Sequence, residues 1–175
     1  RREYANVGRD LVGSSPSLEA LPADAADDSG YLSGPAVSPV EAAAFLELAE
    51  RVAEDATKNL RAISPCQPTQ ASQEESCANQ FVTTFGERAF RRPLTEAERS
   101  ELIALYRRGR TDARLDWSSA IGLVIQGMLM SPRFLYHWEL GEGPAVAAGA
   151  AIALSEYEIA SRLSFLLTES MPDDE

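Results

Sequence analysis

The sequence predicts a mainly α protein, an irregular helical bundle of six to seven helices with one long N-terminal surface loop. Three capping boxes of the form Ser/Thr-x-x-Glu, at Ser38/Glu41, Thr95/Glu98 and Ser155/Glu158, each stand in front of an apolar run. Apolar residues recur at spacings of three and four over most of the chain, the period of a one-sided helix. No stretch alternates apolar and polar residues as a half-buried strand does, and no repeat of solenoid length is present. At 175 residues the chain is long enough to bury a core of its own.

Residues 2–12 read as an amphipathic helix with Tyr4, Val7 and Leu11 on one side and Gly13 as its stop. Residues 14–34 are rich in Ser, Pro, Asp and Gly, so they are expected to run over the surface. Ser38-Pro39-Val40-Glu41 then starts a helix expected to reach about Leu60. Its buried stripe is Phe45, Leu48, Ala49, Val52, Ala56 and Leu60, and Glu47–Arg51 and Glu54–Lys58 are favourable i, i+4 pairs. Residues 64–75 read as a polar loop holding Cys66. A helix from about Cys77 to Arg92 follows, with Ala78, Phe81, Val82, Phe85 and Ala89 inward and Pro93 ending it. Thr95 opens the next helix, through Leu102, Leu105 and Tyr106 towards Gly109. Asp116 caps a helix whose Trp117, Ala120, Ile121, Val124, Ile125 and Met128 are almost continuously apolar, which places it at the centre.

Ser131-Pro132 restarts the chain for a short segment with Phe134, Leu135 and Trp138, and residues 141–153 form a small-residue linker. At the last helix Leu154 and Ile159 stand as a hydrophobic staple, and Ala160, Leu163, Leu166 and Leu167 are expected to continue its buried face. We divide the packed unit into 1–63, with the acidic loop; 64–114, with the cysteine loop and a basic hairpin; and 115–175, with the apolar helices and the start of a following domain. Pro172 followed by acids is how a helix begins, so the chain is expected to be a fragment of a longer protein.

Sixteen basic side chains face 27 acidic ones, a net charge of -11. That balance argues against a nucleic-acid binder, whose affinity rests on cations set against phosphates. Fifteen of the sixteen are arginine, with Lys58 the single lysine. Charge is uneven: residues 88–114 carry eight cations and four anions, a basic island between two acidic flanks. Pairing with acidic neighbours within the chain is the plainer reading of the island; a docking patch for an acidic protein partner is the other. No apolar run approaches the ~20 residues needed to span a bilayer.

Cys66 and Cys77 are the two cysteines, eleven positions apart at either side of a polar loop. They read as a structural disulfide, against unlinked thiols or a redox couple, because the redox motif is Cys-x-x-Cys. A disulfide implies a periplasmic, secreted or cell-surface location. Cys-x-x-Cys-His is absent, so no covalent haem is attached to this stretch, and the single histidine excludes a multi-histidine metal centre. The nucleophile elbow, zincin, phosphate-loop and dinucleotide motifs are absent too.

What remains is a short set of candidates. His137, beside Trp138 and near Glu139, could serve as a general base or axial haem ligand, or simply as a packing histidine. Arg88 and Arg92, one helical turn apart, could clamp a carboxylate or phosphate, or pair with acids of neighbouring helices. Asp24, Asp27 and Asp28 could offer oxygen ligands to Ca²⁺, although Ser29 stands where an EF-hand has its glycine, and a solvated loop is the plainer reading.

Several stretches resemble one known group. They are Arg2-Glu3-Tyr4-Ala5-Asn6 with Arg9-Asp10-Leu11, then Phe85 to Thr95 (Phe-Gly-Glu-Arg-Ala-Phe-Arg-Arg-Pro-Leu-Thr), Ser131 to Tyr136, Leu154 to Ser164 and Met171-Pro172-Asp173-Asp174. In order and type they are similar to large exported proteins of the planctomycete and myxobacterial kind, in which helical domains of unknown function accompany c-type cytochrome segments. The chain departs from that pattern at Val7-Gly8, at His137 where arginine is common, and at Leu167 where tryptophan is common. The resemblance implies an exported protein whose haem c, where present, lies outside this fragment, and whose first partners are the remaining domains of its own chain. It supplies no settled activity.

The leading expectation is therefore a non-catalytic scaffold or interaction module of a larger exported protein. Part of an extracytoplasmic oxidoreductase working with a c-type haem domain is the alternative, and a calcium-stabilised surface or assembly protein is a third.

Overall fold

A computed structural model describes residues 2–14, 17, 19, 38–141 and 150–173. The chain is mainly helical, with eight helices and no strand among the described residues. They are α1 (Arg2–Val12), α2 (Pro39–Lys58), α3 (Leu60–Ile63), α4 (Ala71–Phe90), α5 (Glu96–Thr111), α6 (Trp117–Leu129), α7 (Pro132–Leu135) and α8 (Glu156–Thr168). The three capping boxes form at Ser38, Thr95 and Ser155, with the hydroxyl and the glutamate exchanging bonds across the first turn. Asp116 caps α6 through the Ser119 N–H, and Gly13 stops α1 at φ 77°.

Helix α6 is the centre. Ala120, Ile121, Val124, Ile125 and Met128 are fully buried, which requires neighbours on more than one side, and α2, α4 and α5 supply them. Close approach depends on two positions without side chains: a Cβ at Gly122 would meet Thr57 Cγ2 of α2 at 2.8 Å, and one at Gly127 would meet Leu105 Cδ2 of α5 at 2.6 Å. From α4, Ala78, Phe81, Val82, Phe85 and Ala89 complete the core, with the Phe81 and Phe85 rings stacked 5.0 Å apart.

Three boundaries or faces differ from expectation. Helix α2 ends at Lys58 because Asn59 leaves helical geometry (φ -137°, ψ 48°), so Leu60 starts the separate short α3. Helix α4 begins at Ala71, six residues earlier than Cys77. Residues 71–76 are polar because they form a solvent-facing first turn and a half, and Gln and Glu are good helix formers. Glu74 and Glu75 there pair with Arg110 and Arg107 of α5, which fastens the two helices.

The third difference is the largest. Helix α8 is turned with its apolar stripe outward: Ile159, Leu163, Leu166 and Leu167 are 46%, 52%, 76% and 78% exposed, and Ala160 is exposed beside them. The residue it buries is Phe165, on the opposite side. The helix is held at its C-terminal end by polar contacts to α1, where Asn6 Nδ2 donates to the Glu169 carbonyl (3.0 Å), Arg2 pairs with Glu169, and Ser170 donates to Asp10.

Cys66 and Cys77 form a disulfide with their Cα atoms 5.8 Å apart. It ties the loop before α4 to a buried position inside that helix. The long N-terminal loop, including Asp24, Asp27 and Asp28, lies outside the described residues.

Candidate functional site

The site grows from the end of α4. The helix stops at Phe90, and Arg91 adopts the left-handed conformation (φ 58°) while the Arg92 N–H closes back on the Glu87 carbonyl. A left-handed residue of this kind is a common helix stop. Proline two residues later prevents the helix from continuing. This turn points the Arg91 guanidinium across to α7. There it donates to the carbonyls of Arg133 (3.0 Å), Phe134 (3.3 Å) and Tyr136 (3.0 Å), the unsatisfied C-terminal acceptors of that short helix. The same guanidinium lies 5.6 Å from the centre of the Phe165 ring, so one side chain fastens α4, α7 and α8 together. Burial, and then the charge of Arg92, push its pKa down to about 10, which leaves it a cation at neutral pH.

Around this hub opens a cleft of about 910 Å³. The turn Arg91-Arg92-Pro93 forms one wall, the segment from Arg133 to Gly141 another, and Tyr157, Ser161, Arg162 and Phe165 of α8 the third. Arg92 makes a two-pronged pair with Glu98 (2.6 and 2.9 Å), and Arg133 approaches the same carboxylate at 3.5 Å. The Arg92 bond, with the cap bonds from Thr95, holds the Glu98 carboxyl at about 2, well below the usual carboxylate range, and correspondingly raises Arg92. Trp138 is fixed by its Nε1 donating to the Pro132 carbonyl (2.8 Å) and by the Arg133 guanidinium 5.1 Å from its ring.

Three of the four candidates read from the sequence, His137, Glu139 and Arg92, line this cleft; Arg88 does not. Arg88 donates to the Asp10 carbonyl and faces a neighbouring groove with Thr84, Glu87 and Pro172, which shares the Arg91-Arg92-Pro93 turn and Tyr157 with the cleft. The His137 ring rests on Phe165, centroids 4.0 Å apart, and burial together with the nearby Arg91 cation lowers its pKa. It is therefore neutral at pH 7. No hydrogen bond joins it to a hydroxyl or carboxylate among the described residues. Glu139 accepts from Arg162 at 3.4 Å, its nearest cation. Arg91, Arg133, Arg162 and Phe165 were not singled out from the sequence as site residues. The Arg-Arg-Pro sequence after a helix carries a signal for the first of these, because a chain that must stop there has to place one arginine in the turn.

Within the basic island, Arg92, Arg99, Arg107 and Arg110 each pair with a glutamate, so pairing among the described residues accounts for half of its eight cations. No cluster of three or more His, Cys, Asp or Glu side chains able to hold a metal ion occurs among the described residues, and no described helix is long and apolar enough to cross a membrane. Covalent haem has no attachment here, since both cysteines are joined to each other and Cys-x-x-Cys-His is lacking.

Comparison with known families finds a match to the middle of the chain. Residues 77–139 match PSD5, a protein of unknown function (DUF1595). The matched segment runs from the disulfide cysteine in α4 to Glu139, so it contains the Arg91 hub, α5, α6, α7, one wall of the cleft and the second wall as far as Glu139. The third wall, α8, lies beyond it. The match agrees with the helical domain of unknown function that the sequence motifs imply. No curated protein and no solved structure matches the chain.

Proposed function

We propose that this chain is a non-catalytic helical interaction module of a larger exported protein, and that the outward face of α8 docks a further helical domain of the same polypeptide. One observation carries the reading. Ile159, Leu163, Leu166 and Leu167 sit at i, i+4, i+7 and i+8, the pattern of a helix face made for burial, and all four are exposed. Contiguous exposed apolar surface of this kind marks an interaction site. The DUF1595 segment supports the assignment to a domain of unknown function, and the disulfide supports an oxidising compartment. Arg91, Arg92, Glu98 and Glu158 near the cleft are engaged in ion pairs and backbone caps that hold α4, α5, α7 and the start of α8 in place.

The test is a photocrosslinking residue at position 166 of the native protein, expressed in its own host. Crosslinks mapping by mass spectrometry to another domain of the same polypeptide are expected, with none from position 99 on the α5 surface. A position 166 that crosslinks no more than position 99 contradicts the reading. The runner-up, an oxidoreductase acting with a c-type haem domain, draws support from the convergence of His137, Glu139 and Arg92 on one cleft. It predicts that His137→Ala abolishes an electron-transfer activity of the native protein while leaving its melting temperature unchanged.

A further inference from the structure

We propose that the cleft beside Arg91 is a binding site for a small organic oxyanion, a carboxylate or phosphate ester carried on a planar body. Its volume, about 910 Å³, falls in the range of small-molecule sites, roughly 300–1,000 Å³. Two cations line it with donors to spare. Arg133 approaches Glu98 through Nε at 3.5 Å, and its guanidinium makes no side-chain hydrogen bond among the described residues. Arg162 spends one nitrogen on a long 3.4 Å contact with Glu139. A guanidinium fork matches a carboxylate or phosphate, which accepts two parallel bonds.

Two aromatic side chains stand on the same walls, Trp138 at 43% and Tyr157 at 50% exposure, and give a planar body something to stack on. The acids of the cleft do not cancel the cations equally. Glu158 is consumed by the backbone N–H groups of Leu140, Gly141 and Ser155, and Glu169 pairs with Arg2, which leaves Glu3 and Glu139 as the acids facing an incoming anion, Glu139 being the one it displaces from Arg162. The proposal uses the flank of α8 that carries Arg162; of the outward stripe, Leu166 also lines the cleft.

The experiment titrates the 175-residue chain with four probes: benzoate, phenyl phosphate, benzamide and inorganic phosphate. Calorimetry and tryptophan fluorescence follow binding. Saturable one-to-one binding is expected for benzoate or phenyl phosphate, with benzamide and inorganic phosphate at least about tenfold weaker, the loss of one charge-assisted or stacking contact. The tighter of the two aromatic anions assigns the oxyanion. Arg133→Gln and Arg162→Gln should each weaken binding about tenfold with the melting temperature unchanged, while Arg99→Gln leaves binding as it is. The proposal is overturned if neither aromatic anion saturates, if benzamide or inorganic phosphate binds as tightly as they do, or if the Arg133→Gln/Arg162→Gln double variant binds like the parent.

Discussion

Arg91 and Glu98 are the two side chains on which the cleft is built, and each makes a measurable prediction. Arg91 donates to carbonyls at the end of α7 that have no other donor among the described residues, so Arg91→Gln leaves these partly buried acceptors short of donors. The expected cost is about 2–3 kcal/mol, the range for hydrogen bonds to a charged group, read as a lower denaturant midpoint. A variant as stable as the parent would remove Arg91 from its structural role. For Glu98 the folded pKa, about 2, lies below its ordinary value of 4.5. The sign follows: the unfolded chain binds the proton more readily, so the stabilisation is present above about pH 4.5 and is lost as pH falls towards 2. Acid titration of stability should therefore show a loss on the order of 2–3 kcal/mol that Glu98→Gln lacks in that window. Identical pH slopes for the two proteins would contradict the pairing with Arg92.

At the scale of the elements, the capping boxes and apolar periods were legible because they are local. Ser38, Thr95, Asp116 and Ser155 mark the starts of α2, α5, α6 and α8, and the near-continuous apolar run of α6 marks the central helix. The orientation of α8 was not legible. Periodicity shows that Ile159, Leu163 and Leu166 share a face, but which face meets this core is decided by Phe165, which reaches the Arg91 and His137 side chains. The polar start of α4 was missed for a related reason, since a solvent-facing first turn and a polar loop have the same composition.

The α8 orientation gives a paired prediction. Phe165→Ala should cost about 3 kcal/mol, or release α8, as truncation of a buried aromatic does. Leu166→Ser, at a 76% exposed position, should stay within ~0.5 kcal/mol. The reverse order would mean that α8 packs through its leucines.

For the molecule as a whole, the candidate site was legible in part. His137, Glu139 and Arg92 are neighbours in the cleft as well as suspects in the sequence, whereas Arg88 reaches the Asp10 carbonyl and lines the neighbouring groove instead. Arg133 and Arg162 come from segments far apart in the chain, and only the packing of α7 and α8 against the α4 turn brings them to one cavity. The disulfide closes a loop that joins the surface to the α4 interior. Reduction, or Cys66→Ser with Cys77→Ser, should lower stability by about 2–3 kcal/mol, measured by denaturant unfolding with and without reductant. Equal midpoints would remove the argument for an oxidising compartment.

The most direct measurement on the proposed docking face is amide hydrogen exchange over residues 156–168, compared between the 175-residue chain and the native protein. A face that is docked in the larger protein should exchange markedly more slowly there than in the chain alone, with α6 unchanged between the two. Equal exchange across α8 in both would show that its apolar stripe meets nothing, and the reading of this chain as a docking module would fall.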